Sequence, residues 1–140
     1  MRVNGSESGF TLIELVVVIT ILGILAAFAV PRFAALDVQA RTAARDALGG
    51  SVRSGAALSH ALWLAQGQPA TVTMEGQVIT MTNGYPNLAT INLTISDLTG
   101  FTYTAATGVF LKTGGAATCT VTYAAAPANG APTITNGGVC

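Results

Sequence analysis

The chain has 140 residues, of which 51% are hydrophobic and only 9% are charged. Six basic and six acidic side chains cancel, so no net field favours binding to nucleic acid or to an anionic surface. A chain of this length has room for a single domain with a modest core.

The first predicted element is a long apolar helix. From Phe10 to Val30 the strongly polar side chain is Glu14, with Thr11 and Thr20 as milder exceptions. A helix over this stretch would be about 31 Å long, enough to cross the hydrocarbon core of a bilayer.

A short polar segment, residues 1–9, precedes the apolar stretch and ends in Gly9. A secretory signal would instead place its small-residue cleavage site after the apolar run, and Ala26, Ala27 and Ala29 are the residues available for that role. The apolar run is long for such a signal and continues into further helix-forming sequence. A cut between Gly9 and Phe10 is therefore the preferred interpretation.

The junction of glycine and phenylalanine, followed by Glu14 as the fifth residue counted from Phe10, resembles the class III signal of type IV pilins and pseudopilins. The resemblance implies that a prepilin peptidase cuts after Gly9 on the cytoplasmic side and N-methylates Phe10. It also implies a single-pass protein of the bacterial inner membrane with a periplasmic domain, assembled into an extracellular pilus by a platform and an ATPase. A looser similarity of residues 72–86 points to the mannose-sensitive haemagglutinin branch.

The resemblance assigns roles to three further residues of the apolar helix. Glu14 is expected to meet the N-terminal amine of Phe10 on a neighbouring subunit and so to set the axial register, or else to be an interfacial acid. Gly23 and Pro31 flank a segment expected either to melt in the filament or to form a mild kink in a continuous helix.

Helical periodicity continues beyond Pro31. A stripe of Phe33, Leu36, Ala40, Ala43 and Ala47 predicts the packing face, and Gly49-Gly50 is a second weak point of the helix. Gly67 and Pro69 predict the helix end. The predicted divisions are therefore a leader (1–9), a transmembrane and polymerisation helix (10–30), an amphipathic helix (31–66) and a β-rich part (67–140).

Alternation and turn residues after Pro69 predict two strands, 70–74 and 77–82, joined by a hairpin turn at Glu75-Gly76. Further strands are predicted at 109–112 and 119–123, with a short candidate at 133–135. Residues 83–87 are predicted as a loop, and 88–98 fit a helix and a strand equally well. The predicted fold is α+β, a pilin fold with a long helix on a small antiparallel sheet. Cys119 and Cys140 are expected to form a disulfide that closes a C-terminal loop, either a structural staple or a contact surface.

Residues for catalysis, a cofactor or a metal are not recognised in the sequence. His60 stands beside Ser59 without an acid to complete a nucleophilic group, and no phosphate loop or cluster of metal ligands is present. The sequence predicts a structural pilin for adhesion, aggregation or biofilm formation, with a type II secretion pseudopilin as the alternative. A DNA-uptake pilin using Arg41, Arg45 and Arg53, and a plain membrane anchor, are the less favoured alternatives.

Overall fold

The computed structural model describes residues 9–140 and confirms the predicted α+β fold. A single helix, α1, spans Leu12–Ala65. The strands and the short 3₁₀-helix follow in the order β1 (Thr71–Met74), β2 (Gln77–Thr82), β3 (Tyr85–Pro86), the 3₁₀-helix (Ile91–Thr94), β4 (Phe101–Thr104), β5 (Val109–Lys112), β6 (Thr120–Ala124) and β7 (Thr133–Asn136). The chain divides into two compact units, one up to Asp37 and one from Val38 to Cys140, and each is described by itself.

The helix ends in a Schellman motif that the glycine at position 67 makes possible. Gly67 has a φ of 78°, and its N–H donates to the carbonyl of Leu64 at 3.3 Å, while the N–H of Gln68 donates to the carbonyl of Trp63 at 2.8 Å. These bonds satisfy carbonyls that have no partner within the helix. The predicted stop at Gly67 is therefore confirmed.

Strands β1, β2 and β3 form a three-stranded antiparallel sheet joined by two tight turns. Glu75 and Gly76 have φ values of 48° and 80°, and Asn83 and Gly84 have values of 54° and 83°. Both residues of each pair are left-handed, as the turn that joins two twisted strands requires. The first hairpin was predicted, but the second was wrongly assigned to a loop although Asn-Gly is a strong hairpin signal.

Strands β4 to β7 form a separate four-stranded sheet in sequential antiparallel order. The structure thus has two small antiparallel sheets where one was predicted, with β3 paired to β2 and the unpredicted β4 paired to β5. The ambiguous segment 88–98 contains the 3₁₀-helix, so neither of the two readings was right there. Tyr123 of β6 links the sheets, since its hydroxyl donates to the carbonyl of Pro86 at 2.7 Å.

The main core lies between the second half of α1 and the four-stranded sheet. It contains Leu48, Val52, Ala56, Ile91, Phe110, Val121 and Tyr123. A smaller cluster, formed by Val72, Ile79 and Met81, packs against Trp63.

The buried face of α1 differs from the predicted stripe. Leu36 and Phe33 are exposed, as are Ala43 and Ala47. The buried face instead contains Leu48, Val52 and Ala56, which are spaced four residues apart and begin one residue after Ala47 of the predicted stripe. Because alanines occur on both faces, hydrophobicity alone did not distinguish the buried face from the exposed one.

Two helical glycines lie where β7 and the 3₁₀-helix approach α1 closely. A Cβ on Gly49 would lie 2.5 Å from Oδ1 of Asn136, and one on Gly55 would lie 2.4 Å from Oγ1 of Thr94. A side chain at either position would force Asn136 or Thr94 to move. Gly49 is thus a close-packing position in an unbroken helix, which corrects its interpretation as a weak point.

Candidate functional site

Among the described residues, Phe10 and the first half of α1 present apolar side chains that are exposed. Phe10 is 91% exposed and Leu12 80%, and even Val16 is 43% exposed. By length and composition the helix is able to cross a membrane. A helix that is apolar on all sides needs a lipid or protein environment around it.

Thr11 and Glu14 form a capping box at the start of α1. The N–H of Thr11 donates to Oε2 of Glu14 at 2.8 Å, and the Thr11 hydroxyl donates to the same oxygen at 2.7 Å. In return the N–H of Glu14 donates to the Thr11 hydroxyl at 3.3 Å. The sequence signature, Thr followed three residues later by Glu, was readable but was not recognised at first.

The cap uses only part of the bonding capacity of Glu14. Both bonds from Thr11 end on Oε2, and a carboxylate has about four acceptor positions over its two oxygens. Oε1 is therefore available to a cation from another molecule without loss of the cap.

Gly23 and Pro31 lie inside the helix, which continues through both positions. Pro31 has no backbone N–H, so it cannot donate to the carbonyl four residues earlier. Before this segment, the hydroxyl of Thr20 donates to the carbonyl of Val16 at 2.7 Å, so this polar side chain has its partner within the helix. The helix is thus continuous in the single chain, with one missing hydrogen bond between Gly23 and Pro31.

Cys119 and Cys140 are joined by a disulfide, with their Cα atoms 4.5 Å apart. Both cysteines are buried. Around them, the Thr118 hydroxyl donates to the carbonyl of Val139 at 2.7 Å, and the N–H of Gly137 donates to the carbonyl of Thr120 at 2.7 Å. The C-terminal loop is therefore closed by the disulfide and by these two hydrogen bonds.

The three arginines of the possible DNA-binding cluster all donate to backbone carbonyls of their own chain. Arg41 donates to Gly114, Arg53 to Ile134, and Arg45 to Gly137 and Gly138. Arg45 is also buried and pairs with Asp46 at 2.8 Å. This docking role was missed in the sequence because no local pattern reveals it.

His60 and Ser59 have separate structural partners. The Ser59 hydroxyl is buried and lies 2.7 Å from the carbonyl of Gly55, to which it donates. Nδ1 of His60 lies 2.7 Å from the carbonyl of Gly84, so this nitrogen carries the proton. Among residues 9–140, no group of three or more His, Cys, Asp or Glu side chains is placed to hold a metal ion.

Comparison with known proteins adds two findings about the chain. Residues 4–30 match the model of the prokaryotic N-terminal methylation motif. A stretch of 51 residues is 57% identical to the type IV narrow pilus major component PilA5 of Thermus thermophilus. The chain carries the class III signal of type IV pilins and is homologous to one of them.

The pilin homology covers 36% of this chain and 44% of PilA5, so the chain spans less than half the length of that relative. No solved structure matches the chain. Neither comparison names the mannose-sensitive haemagglutinin branch, and that resemblance stays a prediction. Residues 1–8 of the leader lie outside the described residues, while Gly9 and Phe10 are exposed and precede the helix.

Proposed function

We propose that the chain is a type IV pilin that is cleaved between Gly9 and Phe10, N-methylated at Phe10 and polymerised into a surface filament. The observation that carries the proposal is a methylation motif over residues 4–30 on a helix whose apolar side chains are exposed. An exposed junction directly before the helix is a suitable peptidase substrate. The partners are the inner membrane, a prepilin peptidase, an assembly platform with its ATPase, and other copies of the chain.

Apolar burial provides the driving force for the polymer. In the membrane, the side chains between Leu12 and Val30 gain little by moving from lipid to protein. In an extruded filament the alternative is water, and burial then stabilises by about 25 cal/mol per Å². The exposed Phe33 and Leu36 would extend this apolar contact surface beyond the membrane segment.

Glu14 would set the register between subunits. A carboxylate and an amine enter the dry filament core at a lower cost as a pair than separately, although the pair need not add net stability. The capping box supports this role, because it holds the Glu14 side chain at the start of the helix and leaves Oε1 available for the Phe10 amine of a neighbour.

The segment between Gly23 and Pro31 would extend in the filament. Two properties of these residues support the proposed extension. Pro31 already removes one helical hydrogen bond, and glycine gains backbone entropy when it leaves a helix. A density map of the filament would test it, since the segment would be extended if the proposal holds and helical if it does not.

The filament would serve surface attachment, aggregation or biofilm formation, and the disulfide-closed loop would be one of its contact surfaces. Nucleic acid is a poor candidate partner, because Arg41, Arg45 and Arg53 already bind backbone carbonyls.

Gly9→Val tests the proposal in cells that assemble filaments from this chain. A branched side chain next to the scissile bond should block cleavage, so full-length precursor should accumulate in the membrane without surface filaments. Gly5→Val places the same side chain elsewhere in the leader and should leave filaments normal. Filaments in the Gly9→Val strain would contradict the proposal, and periplasmic fibres alone in the wild type would point to the pseudopilin alternative.

A further inference from the structure

A groove of about 660 Å³ lies between the middle of α1, the β1–β2 turn and the end of the 3₁₀-helix. All of its lining residues belong to the unit from Val38 to Cys140. The helix lines the groove with one face, on which small side chains leave room for another element to come close to the backbone. These lining positions are Ala47, Gly50, Ser51, Ser54 and, one turn further on, Leu58.

Two leucines make the groove partly apolar. Leu58 of α1 is 55% exposed and Leu93 of the 3₁₀-helix is 37% exposed, and both line the groove. A partner that brings apolar side chains of its own would remove both leucines from water, which is favourable.

The charged residues that line the groove, Glu75 and Asp97, are both acidic. Oδ1 of Asp97 accepts a hydrogen bond from the N–H of Thr99 at 2.7 Å. Within the described part of the chain, the side chain of Glu75 has no hydrogen bond and no ion pair. Both carboxylate oxygens of Glu75 are therefore available to a cation that enters the groove.

The matching cation lies on the other unit of the chain. Of the basic side chains that the structure describes, only that of Arg32 has neither a hydrogen bond nor an ion pair. Lys112, for comparison, donates to the carbonyl of Gly100 at 3.1 Å. Phe33 is 71% exposed and Leu36 58%, and both lie on the same face of the helix as Arg32.

We propose that the groove binds residues 32–36 of a second copy of the chain, with Arg32 of that copy paired with Glu75. The two apolar side chains of the segment pack on the two leucines of the groove. Charge complementarity selects this segment over the rest of the exposed apolar helix, because residues 12–30 contain no basic side chain. The inference rests on the proposed function, since a filament brings copies together, and it adds a contact to the register role of Glu14.

Chemical cross-linking of purified filaments tests the pairing. In Arg32→Cys/Glu75→Cys the cysteines replace the long side chains of an ion pair, so they lie too far apart for a disulfide and are joined by a short bis-maleimide instead. The native Cys119 and Cys140 do not react, because they are bonded to each other. We expect a ladder of linked subunits on a denaturing gel. The matched control, Arg32→Cys/Ala106→Cys, has its second cysteine on the exposed β4–β5 turn and should stay monomeric.

Charge reversal with rescue separates a contact between copies from damage to the fold. Arg32→Glu and Glu75→Arg should each reduce the number of filaments about tenfold, because like charges then face each other across the contact. The combined variant Arg32→Glu/Glu75→Arg restores opposite charges and should recover most of the filaments. Arg32→Glu/Gln77→Arg places the positive charge at an exposed position that does not line the groove, and it should not recover them.

The proposal is overturned if filaments of the Arg32→Cys/Glu75→Cys variant yield no ladder, or no more of one than the control. A product that links the chain to a different protein, or a combined charge variant no better than the single ones, would also overturn it. In each of these cases, filaments of wild-type subunits cleaved after Gly9 would leave the proposed function intact. A wild type that forms no filaments would overturn the proposed function and this docking with it.

Discussion

Arg45 donates a hydrogen bond of 2.6 Å to the carbonyl oxygen of Gly137, a residue 92 positions later in the sequence. The same guanidinium nitrogen donates to the carbonyl of Gly138, so one helical side chain holds the segment that leads to the disulfide. Because Arg45 is only 8% exposed, these hydrogen bonds are largely shielded from water.

Arg45→Met should therefore lower the free energy of unfolding of the domain by about 1.5–3 kcal/mol, the range for hydrogen bonds to charged groups. Arg53→Met is the matched control, because Arg53 is exposed and makes one bond of 3.2 Å to the carbonyl of Ile134. Urea unfolding of the solubilised chain measures the free energy of unfolding of both variants. Equal losses for the two variants would contradict the docking role of Arg45.

Asp46 makes this docking sensitive to acid. The hydrogen bond from Arg45 is the main cause that lowers its pKa below the usual 3.8, with a smaller contribution from Asn136. A lowered folded-state pKa means that Asp46 contributes stability above pH 3.8 and that this contribution is lost as the pH falls through the folded-state pKa. Thermal midpoints measured from neutral pH downward should fall more steeply for the wild type than for Asp46→Asn. The same pH dependence of the thermal midpoint in both proteins would show that Asp46 does not cause the loss of stability in acid.

The disulfide between Cys119 and Cys140 spans 21 residues of sequence. By the chain-entropy model, such a loop stabilises the folded domain by about 3 kcal/mol. The double variant Cys119→Ala/Cys140→Ala should lose roughly this amount in urea unfolding, and the untreated wild type should contain no thiol that alkylates. Alkylation of either cysteine in the native wild type would contradict a closed loop.

The apolar helix, the first hairpin and the disulfide were predictable because each is encoded by neighbouring residues or by a residue type. The packing face of α1 was not, because alanines on both faces made Leu36 and Leu48 equally plausible core positions. The 3₁₀-helix escaped prediction because its four residues make little more than one helical turn. Strand β4 was not recognised, although β1 and β5 are equally short and were predicted. The role of Arg45 depends on segments that only the tertiary fold brings together.

Glu14 caps the helix and is proposed to set the register between subunits, and three substitutions distinguish these two roles. Glu14→Gln keeps the capping box but removes the charge, whereas Thr11→Val removes the capping hydroxyl and keeps the charge. An unpaired buried charge costs about 3–5 kcal/mol and a lost cap about 0.5–2 kcal/mol. Glu14→Gln and Glu14→Val should therefore abolish or shorten filaments while mature subunits accumulate in the membrane, and Thr11→Val should leave filaments nearly normal.

Electron microscopy of sheared filaments measures filament number and length, and immunoblots of membrane fractions measure the amount of mature subunit. Normal filaments in Glu14→Gln would mean that apolar packing alone sets the register. Loss of filaments only in the variants that break the cap would assign Glu14 to helix initiation instead.

Mass spectrometry of subunits from purified filaments tests the central claim most directly, because the proposed polymerisation through the apolar helix follows removal of the leader. The account predicts a mature chain that begins at N-methylated Phe10. A filament subunit that retains residues 1–9, or one that begins after Ala27, would contradict it.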